Sequence, residues 1–415
     1  MVARQESWSR RADPVDVALA GAVAVVVFFL AWGVLHHGFY THRPIVDTPS
    51  YRHYGDAVVR GQMPYRDFAL EYPPAALPVF VLPALGRPDQ AAYDRRFQIL
   101  MALCGAAMVA FLAVALGALG TRRRRAAGAL LFAALAPLAL GSLVLSRFDL
   151  WPAALTIGAL AALLAGRERL GFGTLALGAA AKLYPALLLP PALVYVARRQ
   201  GARAAAACLA AFVAVAAACV LPFAVLAPDG VLDSITRQAG RPLQLESLGS
   251  AFLLAAHQLA GLHLKLQTSS GSQNLVGHAA HELALSLVVV QGIAVVAIWL
   301  AFALGPATRE RLAAVSAASV AAFVAFGKVL SPQFLIWLIP LVPLVRGRRG
   351  LAATTVLGVA LVLTQLWFPY RYWQLALGFE AVPSWLVVAR DLVLVALVAA
   401  LVVAVIRRGP EPPRS

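Results

Sequence analysis

Charge is scarce in this chain. Only 13% of its 415 residues are Asp, Glu, Lys or Arg, against about 25% in a soluble domain. Hydrophobic residues reach 61%, where about 45–50% is usual. That balance excludes a soluble globule, a disordered chain and a fibrous repeat. Lysine is scarcer still: Lys182, Lys265 and Lys328 are the only three, and every other basic residue is arginine. The three cysteines, Cys104, Cys208 and Cys219, all lie in apolar runs. Cys208 and Cys219 share one predicted helix about 16 Å apart, too far for a disulfide. No Cys/His spacing suited to a metal occurs, so no metal site and no resident cofactor are expected. A glycine-rich phosphate loop is missing, as are internal repeats and heptads. No cleavable signal peptide is expected, because residues 4–16 are polar and Val17–Leu35 is long enough to stay as a helix.

What the chain does have is a series of apolar runs near the roughly 20 residues needed to cross a bilayer. The clear crossings fall at about 17–35, 97–119, 126–145, 150–165, 203–224, 283–304, 351–368 and 384–406. Arginine clusters separate them: Arg10-Arg11, Arg122 to Arg125, Arg167/Arg169, Arg198/Arg199/Arg203, Arg309/Arg311, Arg346/Arg348/Arg349 and Arg407-Arg408. The net charge of +16 is therefore a topology signal under the positive-inside rule, with anionic lipid as neighbour and no nucleic-acid partner. With the clusters cytoplasmic, both termini lie inside and the number of crossings is even.

Two segments do not fit as single crossings. Residues 171–197 and 312–345 each carry arginines on both flanks, so each should go out and return. Each has a polar break near its middle, Lys182-Leu183-Tyr184-Pro185 in one and Lys328-Val329-Leu330-Ser331-Pro332-Gln333 in the other. About 13 residues per leg give roughly 20 Å of helix in the first, short of the hydrocarbon thickness of about 30 Å. A turn at that depth survives only when protein or a water-filled cavity covers it. Both apices then carry a lysine into an outward-facing hollow, although a single such lysine could equally snorkel to an interface. The expected fold is an all-α polytopic membrane protein of about twelve helices. It has two re-entrant-like short hairpins and two large extracytoplasmic loops, 36–96 and 225–282, within one domain over residues 1–415. A competing topology makes both segments single spans, but breaks the charge rule twice.

The first outer loop holds Asp47, Asp56, Asp67 and Glu71 among seven arginines. Asp47 follows the first helix by about a dozen residues, which places it near the outer membrane surface. A carboxylate there, facing cations across a cavity, stays ionised and can take a proton. Capping of the helix that begins before Tyr51 is the duller alternative. The second loop carries His257, His263, His278 and His281, whose role is left open, and a Gly/Ser/Gln-rich stretch at 268–274. Helix-forming pieces are expected at Tyr51–Gly61, Ala75–Gly86 and Leu248–Leu262. Arg147 and Asp149 can pair with each other at a helix end. Arg390 and Asp391 form a structural polar patch inside the last helix. Trp337, Trp367, Trp373 and Trp385 suit an interfacial belt.

Several short motifs share an order. Asp47 and Tyr51, Gly61-Gln62-Met63-Pro64-Tyr65-Arg66-Asp67 and Glu71-Tyr72-Pro73-Pro74 come first. Arg147-Phe148-Asp149, Ala181-Lys182-Leu183-Tyr184-Pro185, Arg241 to Ser247 and Ser331 to Trp337 follow. Together they resemble glycosyltransferase family 87, polyprenol-phosphate-mannose-dependent mannosyltransferases of the GT-C fold, over residues 40–345. The resemblance implies that an aspartate of the first outer loop is the catalytic base, Asp47 by position. It implies a lipid-linked sugar donor as co-substrate and a glycan or glycolipid acceptor. It also implies a plasma-membrane location with the active site facing outward. Arg147, Lys182, Arg241 and Lys328 are the candidates for the donor phosphate, since cations in a water-poor pocket stabilise the charge that grows as the sugar leaves. Tyr51, Glu71, Tyr72, Asp149, Tyr184, Glu246, Ser331 and Gln333 are possible supporting residues. The expected reaction is an inverting transfer of a hexose, mannose by resemblance. A transporter or lipid-linked-sugar flippase is the leading alternative, because broken helices with midplane charges also mark transporters. A non-catalytic envelope scaffold is a third.

Overall fold

The computed structural model describes residues 14–42 and 44–406; the terminal arginine pairs at 10–11 and 407–408 lie outside the described residues. The first crossing, α1 (Pro14–Val34), is apolar on every side, as befits a helix between lipid and protein. A short loop leads to α2 (Thr48–Val59) and α3 (Leu77–Ala84) of the first outer region. Then come α4 (Gln90–Ala118), α5 (Arg123–Leu140), the single turn α6 (Leu143–Ser146) and α7 (Leu150–Leu164). The first hairpin is α8 (Glu168–Ala181) and α9 (Leu189–Gln200), followed by α10 (Ala202–Leu226). The second outer region holds α11 (Pro228–Ala239), strand β1 (Leu243–Gln244), α12 (Leu248–Ala260) and strands β2 (Lys265–Ser269) and β3 (Ser272–Val276). The chain closes with α13 (His278–Ala303), α14 (Arg309–Ala325), α15 (Gly347–Trp367), the short α16 (Tyr372–Gly378) and α17 (Ala381–Ile406). Six of these helices are long and apolar enough to cross a membrane by themselves. The molecule is an all-α polytopic membrane protein, and one buried apolar cluster runs from Val17 to Val405.

Both broken segments go out and return. Gln200, at the end of α9, donates to Glu168 at the start of α8 (2.5 Å), so the two legs begin and end on one face. Arg346 and Glu310 pair at 2.7 Å and close the second hairpin in the same way. Further contacts gather the arginine-rich turns on this face: Arg123 with Asp16, Arg309 with the Ala118 carbonyl, Arg198 with the Gly305 carbonyl and Arg311 with the Val405 carbonyl. The two large loops occupy the opposite face, where Tyr370 reaches back to the Phe39 carbonyl.

The second hairpin corrects the expectation of twelve helices. Its return leg is two 3-10 turns, Pro332–Trp337 and Val342–Leu344, with no α-helix between them. Pro332, Pro340 and Pro343 each lack an amide donor, which rules out a continuous i→i−4 ladder. Arg125 compensates in part by donating to the carbonyls of Pro343 and Val345. A second departure is a small antiparallel sheet, ordered β1-β3-β2, in the segment read as a Gly/Ser/Gln-rich loop. Its turn uses Ser270 and Gly271, both at positive φ (51° and 64°), the backbone that a tight hairpin requires.

The first outer region is held down by close packing. A Cβ on Gly55 of α2 would strike the Phe80 carbonyl of α3 and also crowd Ala84. Gly55→Val should therefore separate these helices and cost about 1–3 kcal/mol, the usual range for overpacking. A lowered thermal midpoint in detergent would register it; an unchanged midpoint would show that the packing is not as described.

Candidate active site

The broken apices meet below the loop-bearing face. In the first, α8 stops at Ala181 and Lys182 turns extended (φ −159°, ψ 139°), ahead of the Tyr184-Pro185 turn. In the second, Trp337 lies flat on Tyr184, with ring centres 4.1 Å apart and planes 5° from parallel. Asp149, fully buried at the start of α7, accepts from Lys182 Nζ at 2.6 Å and from Trp337 Nε1 at 2.7 Å. The Lys182 ammonium also lies 4.7 Å from the Phe148 ring centre and 5.1 Å from that of Trp337. A charge taken out of water is tolerated when paired and surrounded in this way.

Asp47 does not cap its helix. It occupies the residue before α2, but its side chain makes no capping bond; Thr48-Pro49 supplies the helix start. The carboxylate instead forms an ion pair with Arg147 and accepts from the Tyr51 hydroxyl at 3.3 Å. Tyr51 is wholly buried, stacked on Phe80 at 4.6 Å and edge-on to Phe148 at 5.8 Å. Arg147 therefore does not pair with Asp149, as the sequence permitted; each turns to a different partner on either side of Phe148. The Asp47 side chain is 33% exposed and that of Arg147 only 7%, so the acid faces the open side of the pair.

The second outer region supplies the far wall. Arg241 donates to Ser272 Oγ at 2.9 Å and lies within electrostatic reach of Glu71, Tyr72 and Glu246. Lys328 donates to the Ala239 carbonyl at 2.8 Å and neighbours Arg241. Gln244 ties β1 to the second apex, its amide donating to Ser331 Oγ at 2.9 Å and its N–H to the Lys328 carbonyl at 3.0 Å. Glu246 is buried beneath this wall, with Oε2 unpartnered, and burial pushes its carboxyl up to about 7 despite Arg390 and Arg241. The Nε atoms of Arg147 and Arg241 and Oδ2 of Asp149 are likewise buried without partners. So many unsatisfied groups in one cluster are costly unless a polar ligand completes them. Four cations, Arg147, Lys182, Arg241 and Lys328, face three carboxylates, Asp47, Asp149 and Glu246.

The site thus gathers most of the residues singled out from the sequence. Tyr72 packs on Tyr51 and Phe148, and Tyr184 meets Thr156 Oγ1 at 3.0 Å. Gln333 is half-buried on the second apex and takes no part in the bonded network. His263, His278 and His281 are exposed, and His257 bonds its own loop through the Leu262 carbonyl. Arg390 and Asp391 are a buried pair at 2.7 Å, and Arg390 also grips the Glu246 carbonyl at 2.6 Å.

Sequence reasoning missed two members. Trp337 is buried against Asp149, and Trp367 is buried under Arg390, so neither belongs to an interfacial belt; Trp373 and Trp385 remain exposed. Tyr372 lies beside Glu246 and Arg147. Its signal was the polar-aromatic run Tyr370-Arg371-Tyr372-Trp373 between the last two crossings.

A family model described as glycosyltransferase family 87 matches residues 70–332. None of the curated proteins matches the chain.

Asp149→Ala should strand the Lys182 ammonium and cost about 3–5 kcal/mol, the range for breaking a buried pair. Pairing Asp149→Leu with Lys182→Met should restore most of the lost stability, because an apolar replacement removes both desolvation costs. Thermal unfolding of the single and double variants checks both; equal losses in the two would mean that the ion pair is not what holds the apex.

Proposed function

The chain belongs to glycosyltransferase family 87, and on that premise we propose that it transfers a hexose, mannose by resemblance, from a polyprenyl phosphate to a glycan or glycolipid. Membership in a family of enzymes answers the transporter and scaffold alternatives. The observation that best supports the transfer is the Asp47–Arg147 pair, with its acid partly exposed, next to the Lys182–Asp149 pair where the two apices meet.

The donor is a phosphodiester with one negative charge. When the bond from the anomeric carbon to the phosphate oxygen breaks, the leaving lipid phosphate gains a second charge. Arg147, Lys182, Arg241 and Lys328 stabilise that growth, with arginine suited to two-point phosphate contact and lysine acting as a point charge. Asp47 takes the proton of the acceptor hydroxyl as its oxygen bonds to the anomeric carbon from the opposite face, and the anomeric configuration inverts. Arg147 serves both halves: in the empty site it neutralises Asp47, and an arriving phosphate competes for its guanidinium. The carboxylate then regains basicity when the donor is in place. No resident cofactor or metal enters this scheme; the lipid-linked sugar is a co-substrate.

Orientation follows from charge. The face that gathers the arginine-rich turns is cytoplasmic under the positive-inside rule, so the loops and the site face outward across the plasma membrane. An impermeant thiol reagent should label Gly271→Cys, in the β2–β3 turn, in intact cells; Arg167→Cys should label only after permeabilisation. The reverse pattern would turn the site inward.

Full-length protein given polyprenyl-phosphate-mannose and a membrane acceptor should release polyprenyl phosphate. Asp47→Asn should slow turnover by about 10²–10⁴, the usual contribution of a general base, with its fold intact; normal turnover in that variant would remove Asp47 from the reaction. Glu246 gives a pH test. Its carboxyl is protonated below about 7, so acidification makes the site one charge more positive. The donor KM should rise as pH increases from 6 to 8, and Glu246→Gln should flatten that rise. An equally steep profile in the variant would assign the pH dependence elsewhere.

A further inference from the structure

A cleft of about 330 Å³ opens between α11 and the first outer loop. That volume is at the lower end of small-ligand sites, about 300–1,000 Å³. One wall is a single stripe of α11: Gly230, Asp233, Ser234 and Arg237, at the spacing that lines up one helical face. The other wall is the tight loop from Tyr65 to Glu71. Tyr65 sits at φ 68° and its hydroxyl donates to the Tyr72 carbonyl at 2.5 Å, which folds the loop back on itself. A Cβ on Gly230 would collide with the Tyr65 carbonyl, so this glycine is what lets α11 dock on the loop.

The chemistry of this cleft differs from that of the site between the apices. Arg66 is paired with Asp67 at 2.9 Å and Arg237 with Asp233 at 3.0 Å. Glu71 adds a third carboxylate to the lining, within electrostatic reach of Arg241. With both lining arginines paired, the cleft offers a phosphate no free cation among its lining residues. Polar side chains of Ser234, Gln238 and Ser270 beside the half-buried Phe68 ring suit a neutral ligand with hydroxyl edges and a C–H face. The opposite edge of α11 carries Leu232 and Ile235, 61% and 60% exposed, the mark of a helix lying in the membrane interface. A ligand in the cleft would thus sit at the water boundary beside lipid. At the Glu71 end the loop runs on into Tyr72, whose ring packs 5.9 Å from that of Tyr51, the donor to Asp47.

We infer that the cleft between α11 and residues 65–71 binds the neutral sugar portion of the acceptor and presents its hydroxyl to Asp47. This rests on the transfer reaction proposed above. Two measurements on the full-length protein in nanodiscs separate the two ideas. Saturation-transfer NMR with methyl α-mannobioside should show binding that Ser234→Trp, which fills the cleft, abolishes and that Gln238→Ala weakens several-fold. With n-octyl α-mannoside as acceptor and polyprenyl-phosphate-mannose as donor, Ser234→Trp should raise the acceptor KM at least tenfold and leave the donor KM within twofold. Gln238→Ala, which only trims the rim, gives the same direction should the tryptophan variant fail to fold. Unchanged sugar binding and acceptor KM in both variants, or a rise confined to the donor KM, would overturn the assignment. Absence of any wild-type turnover would refute the transfer reading, while the NMR arm would still decide the cleft. Binding of the methyl glycoside equal to that of the octyl glycoside would identify a free glycan as the source; preference for the octyl compound would identify a glycolipid.

Discussion

Unpaired charge is intolerable at membrane depth, and the architecture of this protein turns on how three residues meet that constraint. Arg147, Phe148 and Asp149 follow one another between α6 and α7. Phe148 is locked into an aromatic cluster with Tyr72 at 4.9 Å and Phe80 at 5.3 Å. The cation before it reaches Asp47 of the first outer region, and the anion after it takes Lys182 of the first apex and Trp337 of the second. Each partner lies on a different element, so satisfying these charges draws together parts of the chain up to 188 residues apart. Removing Asp47 or Lys182 would leave a buried charge without its ion-pair partner, which is costlier than never having had the pair.

The short hairpins make sense in that light. A full-length helix would carry its polar residues past the hydrocarbon core into water. A leg of 14 residues such as α8 ends lower, at about 21 Å, and delivers Lys182 to a place where only protein can satisfy it. The second apex goes further and gives up helical structure on its return. Carbonyls at the far end of that return leg turn instead to Arg125, and Trp337 near its start becomes the floor on which Tyr184 stacks. Irregular backbone inside a membrane protein is confined to places where protein or a polar cavity covers it, and here it does both.

Much of this was legible in the chain. The two lysines at matched breaks, flanked by arginines, announced both hairpins, and the contacts of Glu168 with Gln200 and Glu310 with Arg346 close them as expected. What escaped notice were pairings that depend on direction in space. Arg147 and Asp149 are two residues apart and looked like partners, yet a fixed aromatic ring between them sends each elsewhere. Trp337 looked like an interfacial anchor because composition cannot distinguish a tryptophan near the membrane surface from one stacked inside. The small sheet hid because β2, Lys265–Ser269, is polar and mostly exposed, without the alternation that marks a half-buried strand.

Charge also differs between two sites on the loop-bearing side. The apices gather four cations against three carboxylates, and the cleft under α11 has both of its lining arginines paired. In the transfer proposed above, a phosphate-bearing donor and a hydroxyl-bearing acceptor would be separated by electrostatics before any shape is read. Asp47 belongs to the first of these sites. A third of its surface is open, and its support through Tyr51 and Tyr72 runs back toward the cleft. In the proposed transfer, Asp47 is neutralised by Arg147 until a phosphate draws the guanidinium away, which would tie proton abstraction to binding of the donor.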